Sequence, residues 1–334
     1  LGLLVKLFRA VLAMLLVISP AGMTFAGSLY TVPKYAAILI NAETGEVLYA
    51  RQADATRYPA SITKVMTLYV AFEEMAAGRL HDDDLITISA NAARQPPSKL
   101  GLRPGATISV RDAMGVMVTR SANDIAMALA EHIGGSQTAF ADRMNMTAQR
   151  LGMTHSWFRN PSGLPDPAHV STARDIALLS RALVRDFPDR YRLFSTVAYE
   201  YRGQAVRNHN HLLDTVPGVD GIKTGFTQMA GFTLAASAQQ NGVRLIAVVL
   251  GGPNRWARDN NVGDLLQAGF TVLAERQRGV LTTVAANFAE PDDLNDSVIE
   301  RLTDEEPVLG GVAVSAAPAA THASFASNGS PLKQ

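Results

Sequence analysis

Apolar side chains in YPASITKVMTLYVAF recur at Val65, Met66, Leu68, Tyr69 and Phe72, the three- and four-residue spacing of a helix with a buried face. That helix is expected to begin at Ser61 and stop near Gly78. Ahead of it, YAAILINAETGEVLYARQ carries two β-prone runs, residues 37–40 and 46–49, about a turn at Thr44-Gly45, the pattern of a hairpin. Downstream, the polar HDDDLITIS leads into QPPSKLGLRPGATIS, whose Pro and Gly content marks extended chain and turns.

Four amphipathic stretches come next: SVRDAMGVMVTR, SANDIAMALAEHIGG, SQTAFADRMNMTAQRLG and TARDIALLSRALV. Ser109/Asp112, Ser121/Asp124 and Thr172/Asp175 read as capping pairs, and Gly134 and Gly152 as C-terminal stops. Strand patterns return in VDGIKTGFT and in GFTLAASAQQNGVRLIAVVLGG, a hairpin turning at Asn241-Gly242. A last amphipathic stretch is VGDLLQAGFTVLAE. The order strand pair, helix, helical block, strand group, helix predicts an α+β fold, an antiparallel sheet flanked by helices with an inserted helical subdomain.

Composition adds limits. The chain has 334 residues, 47% hydrophobic and 18% charged, enough for a sizeable core. A formal net charge of +0 gives no reason to expect nucleic acid as a partner. Cysteine is absent, which excludes disulfides and thiolate chemistry and fits an exported protein. Residues 1–26 have the layout of a secretory signal peptide: Lys6 and Arg9, an apolar run, then small residues before Gly27. The apolar run is short of the roughly 20 residues a spanning helix requires, though an uncleaved anchor is the alternative. The catalytic region is expected over 27–278. Residues 279–334, acidic and then Ala/Ser/Pro-rich, are expected to form a polar, disordered tail.

Ser61 and Lys64 stand one turn apart at the start of the first helix. Ser61 can be an N-cap with Lys64 snorkelling to solvent. Alternatively, a lysine kept neutral by burial or a neighbouring cation can take the serine's proton, while the helix N-terminus favours developing negative charge. Two more elements favour the second reading. Ser121-Ala122-Asn123 and Lys223-Thr224-Gly225 complete, in order, the set Ser-x-x-Lys, Ser-x-Asn and Lys-Thr-Gly of serine acyl-transfer enzymes. The candidate catalytic residues are therefore Ser61, Lys64, Ser121, Asn123 and Lys223. Ser61 is the nucleophile, Lys64 the candidate base, Ser121 and Asn123 a relay and amide holder, and Lys223 a second cation. Thr224, Gly225 and Phe226 are candidate substrate-binding residues. Gly225 would let a substrate backbone lie along the strand, and the backbone N–H groups of Ser61 and Phe226 would hold the oxyanion.

Over residues 30–270 the chain resembles the low-molecular-weight penicillin-binding proteins, serine-type D-alanyl-D-alanine carboxypeptidases. YPASITKVMT, SKLGLRPG, SANDIAMALAEHIGG, NPSGLPDP, GVDGIKTGFT and LIAVVLGG carry the resemblance. It implies a β-lactamase/transpeptidase-like fold without a cofactor, and a periplasmic enzyme of peptidoglycan biosynthesis and cell shape. Such an enzyme removes the terminal D-Ala from peptidoglycan stem pentapeptides and is acylated by β-lactam antibiotics. It also implies that Arg258 grips the terminal carboxylate, with a surface ion pair as its other reading, and that His209 replaces a second arginine. His209 and His211 lack a third ligand at metal spacing. Many relatives add an all-β domain and a membrane-binding helix; the stretch after the catalytic region here is too short and polar for both, so membrane attachment is not expected. The alternatives are a DD-endopeptidase, a class A-like β-lactamase, and a non-catalytic wall-binding protein. Against the β-lactamase, the region that should hold a Glu-x-x-Leu-Asn loop reads NPSGLPDPAHVSTARD.

Overall fold

In the computed structural model, which describes residues 34–289, the run AAILIN forms strand β1 (Ala36–Asn41). Its alternation sorts side chains into two cores: Ala36, Ile38 and Ile40 on one face, Ala37 and Leu39 on the other. β1 pairs with β2 (Val47–Arg51) and joins β7 (Val219–Thr227), β8 (Gly231–Gln240) and β9 (Val243–Gly252) in a five-stranded antiparallel sheet of order β2-β1-β9-β8-β7. Both faces are covered, which is why LIAVVLGG is apolar without interruption. Asn241 and Gly242 turn the β8–β9 hairpin with φ of +50° and +78°, the conformation for which Asn-Gly is suited.

One face packs on α6 (Arg255–Gln277) through Val262, Leu265, Leu266 and Val272. The other packs on the helical block. At its centre is α1 (Thr63–Ala76), buried on nearly every side, as expected of a helix that is apolar all round. Around it lie α2 (Val110–Thr119), α3 (Asn123–Gly134), α4 (Gln137–Arg150) and α5 (Ala173–Asp186). This is the expected α+β sheet with a helical insertion between β2 and β7. Burying each large aliphatic side chain in these cores contributes about 1.5–3 kcal/mol. The caps Ser109 and Thr172 accept from the N–H of Asp112 and Asp175, each at 3.1 Å, as expected.

Several local expectations need correction. Ser61 belongs to a 3₁₀ turn, Ala60–Ile62, before α1 and caps nothing. Ser121 is not a cap either: α3 starts at Asn123 with Ala122 as N-cap and no side-chain cap bond. Gly135, not Gly134, is the left-handed C-cap of α3. The last long helix begins at Arg255, ahead of the apolar periodicity, because its first two turns carry mostly polar and charged residues. Two small ladders were not anticipated: β3 (Leu85–Thr87) with β4 (Thr107–Ser109), and β5 (Ala198–Tyr201) with β6 (Gln204–Arg207). The start of the expected tail is also ordered. Val284 and Phe288 are buried, the latter edge-on to Tyr49 of β2 at 5.4 Å, around a short helix α7 (Val284–Asn287). The expected signal peptide, 1–26, and residues 290–334 lie outside the described residues. No helix among the described residues is long and apolar enough to cross a membrane.

Candidate active site

The 3₁₀ turn carrying Ser61 is wedged between two glycines. Ala60 holds φ at +49°, and its carbonyl presses on Gly163, where an added Cβ would stand 1.8 Å from Ala60 O. On the other side is Gly225 of β7, where a Cβ would lie 2.8 Å from Ser61 N and 2.6 Å from Thr233 Oγ1. Gly225 thus lets the edge strand approach the backbone of Ser61 itself, a packing role beyond the strand-docking role expected of it.

Lys64 is fully buried, and three groups surround its amine. Nζ lies 3.0 Å from Ser61 Oγ, 2.8 Å from Asn123 Oδ1 and 2.7 Å from the carbonyl of Ser162. Two of these partners only accept, while the hydroxyl can also donate. A neutral amine, with two N–H groups and one lone pair, therefore donates to Asn123 and Ser162 and accepts from Ser61. An ammonium is equally satisfied by the same three atoms, so a proton can cross from Oγ to Nζ without rearrangement. Burial, reinforced by the Lys223 cation and opposed by Asp124, pulls the Lys64 amine well below its ordinary pKa.

The neighbours of that amine are held in turn. Asn123 Nδ2 donates to Pro96 O at 2.9 Å, which fixes Oδ1 toward Lys64. Asp124 accepts from the N–H groups of Leu100 and Gly101 at 2.9 and 2.8 Å, holding the loop that forms one cleft wall. Asn160 Oδ1 accepts from the N–H groups of Ser162, Gly163 and Leu164 at 3.2, 2.8 and 3.1 Å and so aims the Ser162 carbonyl. Ser121 adopts φ of +60°, and its buried hydroxyl has no hydrogen-bond partner.

Ser61, Ser121 and Asn123 open onto a cleft of about 820 Å³ whose far wall includes Thr224, Gly225 and Phe226. Phe226 is half-exposed and stacks against Phe232 at 4.3 Å. Lys223 sits behind this wall, nearly fully buried, with its Nζ donating to Thr224 O at 3.3 Å. Burial, and then the Arg258 charge, lower its pKa to about 7.

The cleft's other end is cationic. Arg258 lines it yet is only 3% exposed, so its reading as a surface ion pair is overturned. Its Nε and Nη2 reach Asp259 Oδ1 at 2.8 and 2.7 Å, and Nη1 donates to Thr233 O at 3.0 Å. His209, His211 and Arg255 line the same end. Enclosure by the cleft walls, followed by the charges of Lys223 and Arg120, brings His209 to a pKa of about 4, so its ring is neutral. No carboxylate is among the described residues lining the cleft. No group of three metal-ligating side chains occurs among the described residues.

The three sequence motifs thus converge as expected. What sequence reasoning missed is the support: the Ser162 carbonyl, the Asn160 hub, the Asp124 clamp and the Asp259 partner of Arg258. NPSGLPDP carried part of the family resemblance, but nothing in it announces a carbonyl aimed at a lysine 98 positions away.

The chain matches the family model for D-alanyl-D-alanine carboxypeptidase (peptidase S11) over residues 24–254. It is 39% identical over 238 residues to D-alanyl-D-alanine carboxypeptidase DacA of Haemophilus influenzae, a match covering 70% of this chain and 61% of that protein. Penicillin-binding protein 5 of Haemophilus influenzae superposes with a TM-score of 0.68 at 37% identity, covering 71% of this chain and 70% of that one. Penicillin-binding protein D2 of Listeria monocytogenes in its cefotaxime-bound form does so with a TM-score of 0.65 at 32% identity, covering 70% and 96%. Family match, relatives and site geometry agree: the chain belongs to the D-alanyl-D-alanine carboxypeptidase family, peptidase S11.

Proposed function

We propose that this protein is a serine DD-carboxypeptidase that removes the terminal D-Ala from peptidoglycan stem pentapeptides and is blocked covalently by β-lactams. The observation that carries the reading is the buried Lys64 amine, 3.0 Å from Ser61 Oγ, with its other two hydrogen bonds already committed. Ser61 Oγ attacks the carbonyl of the penultimate D-Ala while its proton passes to Lys64. The N–H groups of Ser61 and Phe226 receive the oxyanion. Lys64, through the Ser121 hydroxyl, returns the proton to the departing D-Ala amine as the C–N bond breaks, while Asn123 holds the lysine in place through Oδ1. Water then hydrolyses the ester and regenerates Ser61.

Lys223 and Arg258 supply the positive field for the substrate's terminal carboxylate. Support for the β-lactam part comes from the D2 relative with cefotaxime bound. Among the described residues the cleft lining offers no carboxylate to activate water against an acyl-enzyme, which favours a long-lived β-lactam adduct over antibiotic turnover. The leader-like N-terminus supports a periplasmic site of action for a catalytic domain that follows it and runs on past residue 278 to the buried Phe288.

Incubation with a fluorescent penicillin, followed by peptide mass spectrometry, tests the chemistry. The expected adduct is on Ser61, with D-Ala released from pentapeptide by the unsubstituted protein and not by Ser61→Ala. An adduct elsewhere, or D-Ala release persisting in Ser61→Ala, overturns the assignment.

A further inference from the structure

We propose that His209 is a specificity-determining residue whose ring takes up a proton when an anionic group enters the cleft, so that preference for carboxylate-ended over carboxylate-free peptides strengthens as the pH falls. The proposal deepens the peptidase reading and rests on it.

The argument is geometric first. His209 lines the cleft, and neither ring nitrogen has a hydrogen-bond partner among the described residues. Every charge bearing on it is positive: Lys223 from β7, Arg120 at the end of α2, Arg255 on the first turn of α6, and His211 on the same loop. Asp259, beside Arg258, is committed to that guanidinium through Oδ1, while its Oδ2 lies 4.0 Å from His211 Nδ1. A neutral imidazole is the stable form inside such a ring of cations, which fits its pKa of about 4. An anion at the centre reverses the balance. It offsets the surrounding positive charge and offers the ring a charge-assisted hydrogen bond.

Linkage then fixes the sign. A site that gains protons on binding binds more tightly as pH falls. An adjacent opposite charge shifts a titrating group by about one to three units. A shift of about two units strengthens binding about tenfold between pH 8 and pH 5. A peptide whose terminal carboxylate is replaced by a carboxamide lacks the charge and gains nothing.

The full chain carrying Ser61→Ala holds an acetylated Lys-D-Ala-D-Ala peptide, or its C-terminal amide, without turnover. NMR titration from pH 5 to pH 8 follows both affinity and the His209 ring proton signal. Between pH 8 and pH 5 the carboxylate-to-amide affinity ratio is expected to rise about tenfold more with His209 present than with glutamine there, Lys223 contributing equally to both, and the ring pKa is raised by the carboxylate peptide only. Adding His209→Gln should remove that part of the pH dependence, and His209→Arg should give a high ratio that no longer depends on this ring. A His209→Gln variant that keeps the full pH dependence assigns it to Lys223 or His211 and overturns the proposal. So does a ring that stays neutral in the complex, or failure of the peptides to bind. Failure of the peptidase reading would appear separately, as absence of D-Ala release by the unsubstituted protein.

Discussion

Replacing Gly163 with alanine tests how the Lys64 amine beside Ser61 is held. Gly163 has φ of +80°, and an alanine Cβ there would lie 1.8 Å from Ala60 O and 2.8 Å from Thr63 Oγ1. Restoring ordinary contact requires the loop to withdraw by about 1.6 Å. The Ser162 carbonyl, one residue away, now sits 2.7 Å from Lys64 Nζ; a displacement of that size breaks the bond. Losing a hydrogen bond of this kind from a buried amine costs about 1.5–3 kcal/mol, or about 10–100-fold in acylation rate. The left-handed backbone adds about 1–2 kcal/mol of destabilisation. Gly152→Ala is the control: its φ is +79°, but nothing lies within 4 Å of the new Cβ, so it bears only the backbone cost. The assay is the second-order rate of acylation by a fluorescent penicillin, with thermal unfolding measured on the same samples. Gly152→Ala should acylate at the unsubstituted rate and melt about 2–8 °C lower. Gly163→Ala should melt lower still and acylate about 10–100-fold more slowly. A Gly163→Ala protein that acylates at the unsubstituted rate would refute the idea that the Ser162 carbonyl fixes the lysine.

Lys64→Arg should abolish acylation, by about a thousandfold or more, because a guanidinium stays charged and cannot take the Ser61 proton; β-lactam labelling on a gel reads this directly. The pH profile of D-Ala release should be bell-shaped. The rate falls as pH drops through the lowered Lys64 pKa, where the amine becomes ammonium, and falls again as pH rises through about 7, where Lys223 loses its charge. Lys223→Gln should remove the alkaline limb and move the acid limb to higher pH, since a cation that depresses Lys64 is gone; an unchanged acid limb would sever that coupling. His169 provides a stability test. It accepts from Arg159 N–H at Nδ1 and donates to Thr63 Oγ1 through Nε2, and burial holds its pKa at about 4 against 6.5 when unfolded. Its contribution is intact above pH 6.5 and is lost as pH falls toward 4, about 3 kcal/mol in all. His169→Gln should flatten the denaturant midpoint between pH 4 and 6.5.

The sheet and helical block were legible because their side chains alternate or recur with the period of the element, and because Asn241-Gly242, Ser109 and Thr172 are turn and cap residues with local causes. The candidate catalytic residues were legible because each motif is contiguous. What escaped was set by distant contacts. Ser121 looked like a cap until its φ of +60° placed it before the helix. The first turns of α6 lack an apolar stripe because Arg258 and Asp259 are buried as an ion pair instead. Phe288 follows a short run, VLTTVAAN, with no strand or helix period long enough to read, yet finds Tyr49 on β2. Asn160 and Asp124 are ordinary loop and helix residues in sequence; only the fold turns them into holders of the carbonyl and the cleft wall.

The central claim is that the Lys64 amine is uncharged beside the Ser61 hydroxyl when the protein is active. Nitrogen NMR of ¹⁵N-labelled lysine side chains, with Lys64→Arg to assign the signal, measures its protonation directly. The account expects Lys64 to titrate far below the ordinary lysine value of 10.5 and to rise toward it in Lys223→Gln. A Lys64 signal that remains ammonium up to pH 10 would contradict it.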